Sequence, residues 1–353
     1  MQSALQDRLS LDHPIVQGPF GGGLSSVALT ATVSNLGGLG SFGAVNLPAH
    51  EIGPLIAELR AATAKPFNVN LWVEDHDPGG LAISDEAYAR ALQIFAPYFR
   101  EFDIAPPEMP ARFHYPFVEQ IEALLEAAPP VFSFVYGIPS PAILAACKRR
   151  GIFTIGTATT LAEAEALDAA GVDAIVATGM EAGGHRVSFI GSAEDNLTGT
   201  FALTQLVSAH VKVPVIAAGG ICDAKGVAAA RLLGADAAQI GTAFLACEES
   251  GASPVHRAAL FSPAARRTAL TRAFTGRLAR GIVNRWVEEL GPRIGELPPF
   301  PIQSWLASHL KAPAAASGRS DVISLWCGQI APNLKHRRAR DLMAALTQSA
   351  DVL

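Results

Sequence analysis

The chain has only four cysteines in 353 residues, Cys147, Cys222, Cys247 and Cys327, and no two of them form a C-x-x-C pair. That spacing indicates neither a disulfide framework nor a zinc knuckle, so the thiols are expected to be small buried hydrophobes. A basic excess is missing as well: 27 Lys plus Arg stand against 32 Asp plus Glu, a formal net charge of -5. Without surplus cations to neutralise phosphates, no nucleic-acid partner is expected. No uninterrupted apolar run approaches the ~18 residues of a membrane span. The opening MQSALQDRLSLDHP places charges where a secretory signal needs an apolar core. The expectation is a cytosolic protein with no membrane partner. Half of the residues (50%) are hydrophobic, enough for a sizeable core.

The rhythm of the chain points to one architecture. Short β-prone runs at 14–18, 39–42, 67–71, 131–136, 152–156, 173–178, 214–218 and 237–242 alternate with Ala-rich helical stretches. Several, such as VPVIAA and DAIVA, are nearly continuous apolar runs, as suits parallel strands covered on both faces. Helices such as 160–170 open on a cap-like TTLAEAE and stop at Gly171. Eight strands in βα alternation predict an α/β TIM barrel, a (β/α)8 fold, over residues 1–248; a doubly wound open sheet is the structural rival. Residues 72–116, rich in acids, prolines and aromatics, are expected as an insertion after the third strand near the barrel mouth. Residues 249–353 are expected as a helical extension packed on the barrel, with a basic helical stretch, the Pro-rich turn GELPPFP and a closing helix near Asp341.

Three motifs carry chemistry. Gly38-Leu39-Gly40-Ser41-Phe42-Gly43 matches a dinucleotide fingerprint, yet Val45, Asn46 and Pro48 follow before any helix can open, so its glycines are expected to let a strand end turn beside a bound group. Ala217-Ala218-Gly219-Gly220-Ile221 and Gln239-Ile240-Gly241-Thr242 end the last two barrel strands, where backbone N–H groups hold phosphate in many barrels. The most specific is Thr178-Gly179-Met180-Glu181-Ala182-Gly183-Gly184-His185-Arg186. A histidine on a Gly-Gly loop can stand over a flat ligand as donor, base or anion clamp near neutral pH. Glu181 and His185 have i, i+4 spacing, but the glycines between them disfavour a helix, so no metal is expected. The other histidines are expected at the surface or as caps. Asn70, at the tip of the third strand, can donate to and accept from a ring system.

These motifs, together with PIVQGP, PFNVNLW, VFSFVYGIP, SGASPVHRAAL, AFTGRLARGIVNR and LWCGQ, resemble the nitronate monooxygenases, formerly 2-nitropropane dioxygenases, of class I, nearly end to end. The resemblance implies a TIM barrel with non-covalent FMN at its C-terminal mouth and oxidation of alkyl nitronates, or of nitroalkanes, by O2 to a carbonyl compound and nitrite. It implies FMN contacts at Asn70, Thr178, Gly183, Gly219, Gly220, Gln239, Ile240, Gly241 and Thr242, and a catalytic role for His185. The family often has Gln at the position of Thr178, and a Pro-Met pair where this chain has Pro19-Phe20. Two rivals remain: an NAD(P)H-dependent FMN reductase acting on quinones or enoyl thioesters, and an FMN-binding protein without turnover.

Overall fold

A computed structural model describes residues 4–73 and 83–348. Eight short strands form the central sheet: β1 (Ile15–Gln17), β2 (Gly40–Gly43), β3 (Phe67–Trp72), β4 (Val131–Val135), β5 (Phe153–Ala158), β6 (Ala174–Thr178), β8 (Val215–Ala218) and β9 (Ala237–Ile240). The two-residue strand β7 (Gly184–His185) belongs to a different sheet. All pairings in the central sheet are parallel, in the order β1-β9-β8-β6-β5-β4-β3-β2, and a parallel bridge from Val16 to Leu39 joins its two ends. The ring is the expected TIM barrel.

Strand alternation divides the core in two. Val69, Leu71, Phe132, Phe134 and Ile175 pack in the outer layer under the helices, whereas Val16, Leu39, Ile155, Val176 and Ile216 fill the barrel. Toward the C-terminal mouth the filling becomes polar: Asn68 Nδ2 donates to Ser41 Oγ at 3.2 Å and to Ser133 Oγ at 2.8 Å. Thr160 caps the helix Leu161–Ala170, which ends on a left-handed Gly171, and Asp223 caps Ala224–Leu232. Both helices thus begin where a cap residue dictates, and the first also ends on one.

The glycines at 38–43 do something other than turn beside a bound group. A Cβ on Gly40 would lie 1.9 Å from the Thr30 carbonyl oxygen, and one on Gly43 would lie 2.5 Å from that of Phe20. They allow β2 to pack against the helix Val27–Asn35 and the Phe20 backbone, and the next helix opens only at Ala49.

The basic stretch expected as a helix is a β-hairpin. β10 (Thr268–Thr271) pairs antiparallel with β11 (Ala279–Ile282), and β11 pairs with β7. A long-range partner decides the matter: the edge of β11 takes up the histidine loop. The insertion contributes the helix Asp85–Glu101, whose Phe95 and Tyr98 pack with Trp286, Phe274 and Leu306 in one shared core cluster. Glu101 also binds Arg285 at 2.6 Å and Arg319 at 2.8 Å. The EDHDPGG run and His76 lie outside the described residues. No helix among the described residues is long and apolar enough to cross a membrane.

Candidate active site

A cavity of about 260 Å³ opens at the C-terminal mouth of the barrel. Nine of the ten sequence-predicted residues line it: Asn70, Thr178, Gly183, His185, Gly219, Gly220, Gln239, Gly241 and Thr242. Ile240 does not. Its neighbour Gln239 faces inward, so strand alternation turns the Ile240 side chain outward into the helix-covered core, while its carbonyl accepts from Gly18 N at 2.9 Å.

The glycine loop after β8 is built for close backbone approach. Gly219 and Gly220 have φ of +109° and +71°, conformations that L side chains rarely adopt. A Cβ on Gly220 would meet nothing nearer than Glu181 Cβ at 4.0 Å, so a larger side chain there would take up the cavity itself. Opposite, Thr242 Oγ1 accepts from Gly328 N at 2.9 Å, tying the loop after β9 to the late chain.

The histidine loop is held from three sides. Glu181 accepts from Thr200 N and Oγ1 at about 3.0 Å, so both of its carboxylate oxygens are engaged at the start of the helix Thr200–His210. Among the described residues no group of three or more His, Cys, Asp or Glu is placed to hold a metal ion. The buried Arg186 guanidinium donates to the carbonyls of Thr178 at 2.7 Å, Asn196 at 2.6 Å and Thr159 at 3.3 Å. Arg280 Nε donates to the Met180 carbonyl at 2.9 Å, and His185 stands opposite Ala279 in the β11–β7 pairing. The Gly-Gly pair is less open than its sequence suggests: a Cβ on Gly183 would lie 2.6 Å from Gly328 N, and only Gly184 has free space.

His185 itself is fixed by partners that the sequence reading did not single out. Its Nε2 is 2.9 Å from Thr275 Oγ1, and its ring sits between Trp72 and Trp326, each with centroid at 5.0 Å, with Tyr136 at 6.4 Å. The ring borders the cavity but is densely surrounded by protein. Lost hydration and then the Arg277 charge hold its pKa well below the ordinary value, at about 3. The imidazole is therefore neutral near neutral pH. Burial pushes the Cys327 thiol up to about 12, so no thiolate is available beside the site.

The sequence profile of the nitronate monooxygenases matches residues 2–349. The chain belongs to the nitronate monooxygenase family. It is 43% identical over 349 residues to a nitronate monooxygenase of Paraburkholderia phytofirmans, covering 97% of this chain and 93% of the relative. With that of Pseudomonas aeruginosa the identity is 41%, covering 96% of this chain and 97% of the relative. Among solved structures, nitroalkane oxidase from Streptomyces ansochromogenes superposes with a TM-score of 0.87 at 37% identity, covering 98% and 96% of the two chains. FabK from Thermotoga maritima superposes with a TM-score of 0.75 at 28% identity, covering 98% and 95%.

In this oxidoreductase of the nitronate monooxygenase family the cavity wall extends beyond the residues predicted from sequence. Phe20, Trp72, His114, Ser133, Thr275, Phe300, Ser304 and Trp326 also line it. Thr275 and Trp326 sit in the AFTGR and LWCGQ motifs, and Trp72 in PFNVNLW, so their positions were visible in the sequence while their contacts were not. Two histidines differ from the surface expectation: His114 borders the cavity, and His256 is buried at 3% exposure with Nε2 3.0 Å from the Trp326 carbonyl oxygen.

Proposed function

We propose that the cavity binds FMN and that the protein oxidises alkyl nitronates with O2 to a carbonyl compound and nitrite. The observation that carries the reading is a single cavity in which both strand-end glycine loops face a neutral, aromatically packed His185. The residues fit such a cofactor: Gly219, Gly220, Gly241 and Thr242 would hold its phosphate, and Asn70, Thr178 and Gln239 its ring system. FMN when bound supplies the electron-accepting chemistry. The protein positions the substrate and keeps the site dry.

A nitronate has already lost its α-proton, so its oxidation asks for no strong base. An imidazole held neutral by burial acts as a fixed hydrogen-bonding partner for the nitro oxygens, with Thr275 orienting the ring. Removing a proton from a neutral nitroalkane is a harder task for so weak a base. Nitronates are therefore the preferred substrates, with neutral nitroalkanes turned over slowly.

The likeness to FabK favours one second reading, reduction of an enoyl thioester by a reduced nicotinamide. Anaerobic mixing separates the two. Ethyl nitronate should bleach the bound flavin quickly while NADH and NADPH leave it oxidised, and denaturation should release FMN. Rapid stoichiometric bleaching by NADH transfers the assignment to the reductase; bleaching by neither leaves a flavin-binding protein.

A further inference from the structure

Two neighbouring barrel strands bring three polar side chains together at the cavity. Asn68 and Asn70 lie two residues apart on β3, so both face the barrel interior, and Asn70 stands opposite Ser133 on β4. All three are buried, and Asn70 and Ser133 line the cavity. Ser133 Oγ accepts from Asn68 Nδ2 at 2.8 Å and from Asn70 Nδ2 at 2.9 Å. Asn68 Nδ2 also donates to Ser41 Oγ at 3.2 Å.

A serine hydroxyl has two acceptor lone pairs and one proton. Here the two amides fill both lone pairs, and among the described residues no acceptor takes the proton. Asn68 uses both of its amide hydrogens on hydroxyls, while its Oδ1 is buried without a hydrogen-bond partner. An orphaned buried acceptor is unfavourable, yet the amide keeps its nitrogen on Ser133. That orientation leaves the Ser133 O–H a donor with only the cavity to donate into.

We propose that Ser133 contacts the flavin ring as a hydrogen-bond donor and that Asn68 is the residue that positions it. The inference rests on the FMN reading above. Carbonyl oxygens and unprotonated nitrogens edge the isoalloxazine ring, and the negative charge on these acceptors grows when the ring is reduced. A donor held rigidly in a buried wall binds more strongly as that charge develops. Ser133 thereby favours the reduced ring over the oxidised one, and the contact is set by the barrel interior, not by the glycine loops that hold the phosphate.

The test compares wild type with Ser133→Ala, Ser133→Thr and Asn68→Leu as full chains. Two quantities are read: the FMN dissociation constant, from flavin fluorescence, and the midpoint potential of the bound flavin, from equilibration with a reference dye. Ser133→Ala should bind oxidised FMN within ~5-fold of wild type but lower the midpoint potential by ~30 mV, a tenfold loss in a two-electron equilibrium. Ser133→Thr keeps the hydroxyl and should keep the potential. Asn68→Leu releases one lone pair and lets the hydroxyl turn, so its potential should fall in the same direction by less; it also carries the test where Ser133→Ala fails to fold. A merely structural role weakens oxidised and reduced flavin alike and leaves the potential unmoved. An unchanged potential in Ser133→Ala or Asn68→Leu, or an equal fall in Ser133→Thr, would overturn the inference. A potential that depends on Ser133 in a protein that binds FMN without nitronate turnover would uphold the contact while refuting the activity; no uptake of FMN by wild type would refute both.

Discussion

Two densely packed histidines, the buried His256 and the half-buried His185, make the protein sensitive to mild acid, and the size of the effect follows from their surroundings. Burial is the largest cause at both, holding His185 at about 3 and His256 at about 4, against 6.5 for the unperturbed ring. Below the unfolded value the unfolded chain takes up protons that the native state refuses. Stability is therefore complete above about pH 6.5 and is lost as pH falls toward the folded values. At about pH 5 each histidine costs ~2 kcal/mol, so lowering the pH from 7 to 5 should remove ~4 kcal/mol. Against a typical stability of ~5–15 kcal/mol that is a large fraction. His256→Gln isolates one share, because a side-chain amide can still donate to the Trp326 carbonyl but cannot titrate. Urea unfolding at both pH values should show wild type losing ~2 kcal/mol more than the variant on acidification. An identical loss in both proteins would refute the claim that His256 is buried neutral.

Three further outcomes test the site. Gly220→Glu places a side chain and a like charge in the proposed phosphate cradle, so flavin content after purification should fall to a small fraction of wild type; full content would remove this loop from the cradle. With ethyl nitronate, kcat/KM should be flat from about pH 5.5 to 8, since His185 does not titrate there; His185→Asn should lower it by ~10-fold or more, and an inflection near 6.5 in wild type would mean an exposed, titrating imidazole. Alkylation by iodoacetamide at about pH 7.5 should leave activity intact, because all four cysteines are buried and burial raises each thiol pKa. Rapid inactivation would show that a thiol reaches solvent.

Barrel and strand ends were legible because local signals and the tertiary partner agree there. VPVIAA is a buried strand wherever it is placed, and two glycines after it can only turn. The hairpin at 268–282 was not legible for the opposite reason. Its Arg and Ala content suits a helix, and the deciding contact, β11 against β7, joins residues about a hundred positions apart. His256 looked like any helix-borne histidine, since burial is a property of what packs over a residue. Ile240 could have been separated from Gln239 by strand alternation alone.

The site is completed by chain that the barrel motif does not contain. His185 belongs to the barrel loop after β6 by sequence, yet it is fixed as the edge strand of the hairpin sheet, with Thr275 on its ring and Trp326 against its face. The strand-end loops meet the late chain as well, Gly183 against Cys327 and Gly328, and Thr242 through its hydroxyl. The barrel thus supplies the glycine loops and part of the aromatic wall, Phe20 and Trp72, while the chain beyond it supplies Thr275, Phe300 and Trp326. The residues beyond 248 therefore share the cavity with the barrel strand ends, through Thr275, Phe300, Ser304, Trp326, Gly328 and Ile330.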